Sequence, residues 1–338
     1  MKIDTMVLLS VALCAVVLAG ELTAYGTDFH SYSADAEFGD GRISLSVTSS
    51  GSDTYSAVFT DSGTHAPVTK LYIYLDERYD EFLEEAREAS GLRGTNQEYS
   101  ANQVYKSLRA RGFNDISICN DAELYAMLGG SGISEGLLVM SYALPESIYS
   151  GSPGDILFKW ISSGGSLYWM SSPIGMFYRT GDRLSKAENA QELFFGAECV
   201  NAEDTDPALS VIDGGGLTDA LYLKWNRTLY GLKLSCIEGQ VSMGFSMNGY
   251  SSVSMVPFGS GMICVIGGHY DRYQCDDVSQ IIASGISCYS KILGVRTGTV
   301  TRGTAEILFD TPSDDGNISV YVSIGGYYTV FGRSLRAQ

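Results

Sequence analysis

The sequence predicts an α/β fold in which a parallel sheet, with helices on both faces, is inserted between the strands of a small β-sandwich-like domain. From residue 68 to residue 171, apolar strand-like segments alternate with helix-like segments, a pattern typical of parallel strands joined by right-handed crossovers. Segments with period-two alternation lie before residue 60 and after residue 298. Because a lone hairpin is only marginally stable, we expect these two outer sets to pack together.

The first element along the chain is an export signal. Met6–Gly20 is an uncharged apolar run of 15 residues, shorter than the about 20 residues that a membrane span needs. It suits a cleaved signal peptide or, extended through Tyr25, an uncleaved anchor, and residues 1–25 are assigned to it. Both alternatives predict an extracytoplasmic protein, either secreted or membrane-anchored through this segment.

The outer β segments are assigned to residues 26–66 and 295–338. In the first, Arg42–Val47 and Thr54–Phe59 alternate with period two around a Ser-Ser-Gly-Ser-Asp stretch, which predicts a hairpin. In the last, strands are predicted at Thr299–Asp310, Ile318–Ile324 and Tyr327–Gly332.

Between them, residues 67–294 form the predicted α/β domain. Its parallel strands are predicted at Val68–Leu75, Ile116–Cys119, Leu137–Tyr142, Ser166–Ser171 and Met262–Ile266, and its helices at Tyr79–Ala89, Ala101–Arg111, Asp121–Leu128, Pro153–Ser163 and Asp277–Leu293. Asp121 is placed to cap its helix, and Gly164-Gly165 to end the next one. Short strands are predicted at Leu221–Lys224, Gly231–Ile237 and Gln240–Met247. The strands ending at Ser171 and Ile266 should lie in the same parallel sheet, with their carboxyl ends at the same edge.

Charge and cysteine content limit the partners and the compartment. The 338 residues carry 22 Lys and Arg against 39 Asp and Glu, a formal charge of -17, so we expect no binding to nucleic acid. Six cysteines follow the apolar run, and in an oxidising compartment they predict one or two disulfides in the later half, without an assignable connectivity. Sequons at Asn226 and Asn317 predict N-glycosylation.

The strongest candidate for chemistry follows a buried-type strand, at Gly267-Gly268-His269-Tyr270-Asp271. At the carboxyl end of a strand, His269 and Asp271 have the spacing of a general base and the carboxylate that orients it. Ser171 or Ser172, after another strand, would be the nucleophile. The alternative is that the two serines cap a turn and that His269 and Asp271 make structural hydrogen bonds.

Other polar clusters have simpler alternatives. Asp76-Glu77-Arg78-Tyr79 could line a ligand cleft or begin a charged helix. Asp310, Asp314, Asp315 and Asn317 could hold calcium, but their spacing differs from that of an EF-hand and favours a hairpin turn. The sequence therefore predicts no metal ion and no cofactor.

Two segments carry a resemblance to a known family. Residues 157–167, a helix followed by paired glycines and a strand, together with Gly267–Asp271, resemble the class I glutamine amidotransferase-like superfamily in its ThuA-like, extracytoplasmic branches. The resemblance covers about residues 67–294 and implies a flavodoxin-like sheet with a nucleophile after the strand at residues 166–171. The cysteine nucleophile of that family is absent from residues 168–175, so a catalytically degenerate member is implied.

These observations favour an exported, membrane-anchored surface protein whose amidotransferase-like domain binds a small molecule, a glycan or another surface protein without catalysis. One alternative is a hydrolase of an amide, ester or glycan-linked substrate that uses Ser171 or Ser172 with His269 and Asp271. Another is a structural module of the cell envelope, formed by the flanking β segments.

Overall fold

The structure is a computed structural model that describes residues 24–25, 30–39, 41–63, 65–76, 78, 97–170, 173–201, 210–212, 217–221, 223, 230–247, 249–267, 272–311, 317–325 and 327–334. The helices are α1 (Gln97–Ala110), α2 (Asp121–Leu128), α3 (Ile156–Ser162), α4 (Ala190–Phe195), α5 (Leu217–Leu221) and α6 (Arg272–Ala283). The strands are β1 (Ala24–Tyr25), β2 (Ser31–Gly39), β3 (Arg42–Asp61), β4 (Lys70–Tyr74), β5 (Asp115–Cys119), β6 (Glu135–Val139), β7 (Ala143–Pro145), β8 (Ser166–Met170), β9 (Phe177–Thr180), β10 (Arg183–Lys186), β11 (Val200–Asn201), β12 (Ser210–Ile212), β13 (Gly231–Lys233), β14 (Val241–Met247), β15 (Tyr250–Phe258), β16 (Gly261–Ile266), β17 (Lys291–Asp310), β18 (Asn317–Ile324) and β19 (Tyr327–Ser334).

In the described part of the chain these strands form three sheets. A ten-stranded sheet runs β11-β13-β15-β16-β8-β6-β4-β5, with β14 paired to β15 and β12 to β14. A six-stranded antiparallel sheet runs β1-β2-β3-β18-β19, and β17 pairs with β3. A small three-stranded sheet has the order β10-β9-β7. Its strands β7 and β9 come after β6 and β8 in the chain. The first and last β segments of the chain are therefore hydrogen-bonded to each other, since β3 pairs with both β17 and β18.

The predicted fold class is wrong, because the chain is rich in strands and its main sheet is mixed. Only β5, β4, β6, β8 and β16 are parallel; β15 pairs antiparallel with β16, and the strands beyond it are antiparallel too. The strands of the Gly- and Ser-rich region at residues 230–258 thus extend the sheet as a meander, which a flavodoxin-like parallel sheet does not have. The two outer β segments pack together as predicted, and they do so as one continuous antiparallel sheet that encloses its own core.

The hairpin predicted within residues 42–59 does not form, because Arg42–Asp61 is a single strand. At its midpoint the ring of His30 lies against Gly51, where a Cβ atom would be 2.2 Å from the ring. A glycine there lets the histidine pack on the backbone rather than turning the chain. The true hairpin joins β2 to β3 around Gly41, whose φ of +67° suits glycine.

Two hydrophobic cores cover the two faces of the ten-stranded sheet. Helices α1, α5 and α6 pack on one face, and α2, α3 and α4 pack on the other. The six-stranded sheet encloses a third core and also joins the first one through Val58 and Tyr321. The hydroxyl of Tyr321 lies 3.0 Å from Gln280 Oε1 on α6, so the two large sheets sandwich this helix layer.

Several element boundaries differ from the predictions. Asn120, rather than Asp121, caps α2: its Oδ1 accepts from two helix N–H groups, and Glu123 completes the capping box. Residues 217–221 are helical, although Leu221–Lys224 was predicted as a strand. The predicted helix Asp277–Leu293 is shorter in the structure, because α6 ends at Ala283. Residues 284–290 are not helical, and β17 begins at Lys291. The helix predicted at Tyr79–Ala89 lies outside the described residues.

Candidate functional site

The carboxyl ends of the five parallel strands line one edge of the main sheet. β5 and β6 lie on opposite sides of β4, so the connections that leave β4 and β6 diverge at this edge. Crevices at such switch points are where open sheets with parallel strands place ligands. The polar residues that follow β4 and its neighbouring strands are therefore the first place to look for a site.

Asp76 lies two residues beyond β4 and is almost completely buried, with 2% of its side chain exposed. Its Oδ1 accepts a hydrogen bond from the backbone N–H of Arg78 at 3.0 Å. The Nε atom of Arg179 is 3.5 Å from the same oxygen. A buried carboxylate is therefore held between a backbone donor and a guanidinium group.

Arg179 comes from β9, in the small sheet, and connects Asp76 to a second carboxylate. Its Nη2 atom pairs with Asp121 Oδ2, at the start of α2. The hydroxyl of Tyr74, the last residue of β4, donates to Asp121 Oδ1 at 2.8 Å. These four residues, Tyr74, Asp76, Asp121 and Arg179, are called the carboxylate network below.

Burial determines the charge states of this network. It raises the pKa of Asp76, and the Arg78 N–H and Arg179 only partly oppose it. It also raises the pKa of Tyr74, with a further contribution from the charges of Asp76 and Asp121, so this phenol stays protonated and remains a donor. Burial acts to lower the pKa of Arg179, but the bond to Asp121 and the charge of Asp76 outweigh it, so the pKa is raised and the guanidinium stays charged.

The accessible part of the network lies on α2. The side chain of Asp121 is 41% exposed. Tyr125 follows it by four residues and is 51% exposed. Side chains at this spacing are neighbours on one helix face, with Cβ atoms about 5–6 Å apart. A carboxylate held by two donors therefore stands beside an exposed aromatic ring.

A separate cavity of about 310 Å³ lies after β8 and around the start of α4. It is lined by Pro173, Ile174, Met176, Ala187, Asn189, Ala190, Gln191, Val200, one cation (Lys186) and three carboxylates (Glu188, Glu192 and Glu198). Lys186 Nζ lies 3.9 Å from Glu188 Oε2. The acidic excess disfavours an anionic ligand here.

A disulfide joins Cys199 to Cys236 beside this cavity, and it confirms the prediction of a bridge in the later half. It ties the strand pair β11–β13 to the loop before β14. Among the described residues, Cys119, Cys264, Cys275 and Cys288 are not bridged. The bridge is compatible with an extracytoplasmic location.

The four predicted catalytic residues, Ser171, Ser172, His269 and Asp271, lie outside the described residues. The strands that lead to them are described: β8 and β16 are adjacent and parallel, with Met170 opposite Ile266. The prediction that these two strands run parallel in one sheet is confirmed. The roles of the four residues stay a prediction.

Packing accounts for several of the glycines that suggested chemistry. A Cβ atom on Gly267 would lie 1.5 Å from the carbonyl oxygen of Tyr230, and one on Gly165 would lie 2.5 Å from the ring of Trp160. Glycine is therefore required at both positions for the backbone to fit, whatever follows in the chain.

The structure assigns Asn317 a structural role. Only 5% of this residue is exposed. Its Nδ2 donates to the carbonyl oxygens of His65 at 2.8 Å and Gly63 at 3.1 Å. An amide buried in this way has no room for a glycan in this fold, so we expect Asn317 to be unmodified. Asn226 lies outside the described residues.

Within the described residues, His, Cys, Asp and Glu side chains form no cluster of three or more that could hold a metal ion. The helices of those same residues are all too short or too polar to cross a membrane.

Sequence reasoning missed Arg179 and Tyr125. The sequence indicates Asp76 as a residue that could line a ligand cleft. Asp121 could have been added to that cleft, because it follows β5, a strand that neighbours β4. Arg179 could not be found in this way, because it comes from a strand of the small sheet that the sequence did not predict.

No family model matches the chain, and no curated protein matches it. Among solved structures, it is similar to a β-galactosidase from Rahnella sp. R3, with 16% identity, a TM-score of 0.40, and coverage of 64% of this chain and 31% of that one. A β-galactosidase from Bacillus circulans sp. alkalophilus gives 12% identity, a TM-score of 0.40, and coverage of 77% and 36%. The cytoplasmic protein STM1381 from Salmonella typhimurium LT2 gives 12% identity, a TM-score of 0.34, and coverage of 54% of this chain and 85% of that one. The chain thus spans about a third of these β-galactosidases. Similarities this low establish neither fold nor activity, and the amidotransferase-like resemblance stays a prediction.

Proposed function

We propose that this chain is an exported, membrane-tethered surface protein that binds a glycan, without turning it over, at the carboxyl edge of its parallel strands. One observation carries the proposal: the exposed carboxylate of Asp121 is held by Tyr74 and Arg179 and stands beside the exposed ring of Tyr125. The disulfide and the apolar residues 6–20 support the export part of the proposal.

The side chains of Asp121 and Tyr125 suit the binding of a sugar. A carboxylate has about four acceptor sites, so Asp121 retains acceptor capacity for sugar hydroxyls after its bonds to Tyr74 and Arg179. The ring of Tyr125 offers an apolar surface for the C–H face of a pyranose, with a hydroxyl at its tip. The carboxylates of Asp121 and of Glu123, two residues further along α2, favour a neutral ligand over an anionic one.

The carboxylate network also provides preorganisation. Asp121 is fixed by two donors, and Arg179 is in turn fixed by Asp76, so little side-chain freedom remains to be lost when a ligand binds. Affinity gained in this way comes from a lower ordering cost rather than from additional contacts.

The same network argues against catalysis by its carboxylates. A general acid must lie within hydrogen-bond reach of the bond that it protonates. Asp76 has the raised pKa that such a role requires. Its side chain is only 2% exposed, however, and its Oδ1 already contacts the Arg78 N–H and Arg179. The accessible carboxylate, Asp121, is occupied by a permanent cation.

The alternative of a serine hydrolase is supported by one observation. β8 and β16 end side by side at the same edge, so the segments that contain Ser171, Ser172 and His269 start from neighbouring positions. Hydrolysis of a generic ester that disappears in both the Ser171→Ala/Ser172→Ala protein and the His269→Ala protein would favour this alternative.

Binding of the tagged full chain, in mild detergent, to an oligosaccharide array tests the proposal. We expect a defined subset of glycans to be retained, with binding at least about tenfold weaker, or about 1.4 kcal/mol, in both Asp121→Asn and Tyr125→Ala. Asp115→Asn is the matched control, because Asp115 is an exposed carboxylate at the opposite end of β5. Retention of no glycan, or equal retention by all variants, would contradict the proposal.

A further inference from the structure

The longest strand pair of the protein has an open edge. β17 pairs with β3 along its whole length, from Lys291 opposite Asp61 to Asp310 opposite Arg42. On its other side, no strand pairs with β17 in the part of the chain that the structure describes. Such an edge presents a row of backbone donors and acceptors to any strand that fits against it.

The charge of this strand differs from that of the chain as a whole. Its first part carries Lys291 and Arg296, and its last part carries Glu306 and Asp310. With Arg302, β17 holds three basic and two acidic residues, in a chain whose formal charge is -17. This strand has no excess of negative charge, so it adds no net repulsion between two copies of an acidic chain.

Two exposed apolar side chains of β17 would lie opposite each other if β17 strands of two copies paired antiparallel. Val295 is 44% exposed and Leu308 is 59% exposed. Gly294 and Phe309 share the inner face, since a Cβ atom on Gly294 would be 2.7 Å from the Phe309 ring. Because side chains alternate along a strand, their neighbours Val295 and Leu308 share the outer face.

We propose that β17 pairs with β17 of a second copy of this chain, antiparallel and centred between Thr301 and Arg302. This register places Val295 opposite Leu308 of the second copy, twice per dimer. The two-fold axis is normal to the sheet, so both copies keep their inner faces on the same side. The two six-stranded sheets join into one continuous sheet, and the interface is isologous.

The irregularities of β17 limit where the pairing is regular. The register with β3 shifts between Ile292 and Gly294 and between Thr301 and Gly303, and Arg302 has a φ of +41°. Bulges at an edge commonly restrict pairing to selected stretches. The regular stretches on either side of Arg302 contain Val295 and Leu308, so the complementary pair lies where ladder bonds can form.

Sedimentation of the full chain in mild detergent, over about a hundredfold range of concentration, tests the proposal. We expect a reversible dimer. The substitutions Val295→Glu and Leu308→Lys should each weaken it by at least about tenfold, because each places a charge opposite an apolar side chain at both contacts. Combining them should restore the dimer, since each glutamate then faces a lysine. Ile133→Glu, at another exposed apolar position (59%), is the control and should leave the dimer unchanged.

A monomer at every concentration would overturn the proposal. So would a dimer that tolerates both single substitutions, or a double variant no better than the singles. Circular dichroism of each variant establishes that it is folded. Because Asp121 and Tyr125 lie away from this strand, failure here leaves glycan binding untouched, and failure of glycan binding leaves the dimer untouched.

Discussion

Asn317 donates a hydrogen bond from its side-chain amide to the backbone carbonyl oxygen of His65, at 2.8 Å. Asn317 opens β18 in the six-stranded sheet, and His65 lies in the segment that leads into β4 of the main sheet. The bond therefore fixes the connection between the two large sheets. The sequon that contains Asn317 serves the fold rather than a glycan.

Replacing Asn317 by Ala should destabilise the protein by about 1–3 kcal/mol, because buried carbonyl groups lose their donors. Urea unfolding measures the change, and Asn114→Ala, at an exposed asparagine, is the control. Tryptic mass spectrometry of protein expressed in a glycosylating host should find Asn317 unmodified. A glycan at Asn317, or a variant as stable as the control, would contradict this account.

His65 should make stability fall in mild acid. Its ring is buried, with its centroid 4.8 Å from that of Tyr289, and burial lowers its pKa from the usual 6.5 despite a hydrogen bond with the Ser260 backbone. The unfolded chain thus binds a proton that the folded chain resists, so His65 stabilises above about pH 6.5 and this contribution is lost as the pH falls through that value.

The measurement is the difference in unfolding free energy between the wild type and His65→Gln at pH 7.5 and at pH 5.5. The advantage of the wild type should be larger at pH 7.5. The variant Asn114→Ala, at an exposed residue without a titratable side chain, controls for the general effect of pH. An advantage that grows as the pH falls would show that His65 is protonated in the fold.

Gly267→Ala should destabilise strongly, because its Cβ would lie 1.5 Å from the Tyr230 carbonyl oxygen and a backbone group must then move. A loss of at least about 2 kcal/mol is expected, in the range of other overpacked sites. Gly154→Ala is the control, since the nearest atom to its Cβ would be 3.9 Å away. If both variants unfold at the same urea concentration, close packing against Tyr230 does not require glycine at position 267.

The disulfide between Cys199 and Cys236 should survive purification and contribute to stability. Closing a loop with a sequence separation of 37 residues contributes on the order of 3–4 kcal/mol in the chain-entropy account. Peptide mapping without reductant should recover the two cysteines in one linked peptide, and Cys199→Ser/Cys236→Ser should unfold at lower urea. Recovery of both as free thiols from native membranes would argue against an oxidising compartment.

The sequence predicted most strands of the main sheet, because apolar runs such as that of β8 are bounded by clear turn signals. It failed where two interpretations of one pattern compete. Period-two segments on both sides of Gly51 suggested a hairpin, but nothing local reveals that the His30 ring takes the place of a side chain there. In the antiparallel half of the main sheet, β13 and β14 were predicted as strands but not as part of this sheet, and β15 was not predicted, because Gly- and Ser-rich strands carry little periodicity.

The candidate site was predictable only in part. Asp76 follows a predicted strand, and Asp121 follows its neighbour, so their proximity could be inferred from the parallel order. Their partner Arg179 is supplied by β9, through the small sheet, and its position depends on packing beyond the reach of local pattern. The residues of the sequence-based catalytic hypothesis are a separate set, from Ser171 to Asp271, and their roles stay a prediction.

The most direct measurement combines binding and turnover of one compound. The full chain, in mild detergent, is titrated calorimetrically with the glycan that it retains best on the array, and that glycan is then recovered and analysed by mass spectrometry. The account predicts saturable binding, weakened at least about tenfold by Asp121→Asn and by Tyr125→Ala, with the glycan recovered intact. A cleaved glycan, with cleavage abolished by Ser171→Ala/Ser172→Ala and by His269→Ala, would contradict it.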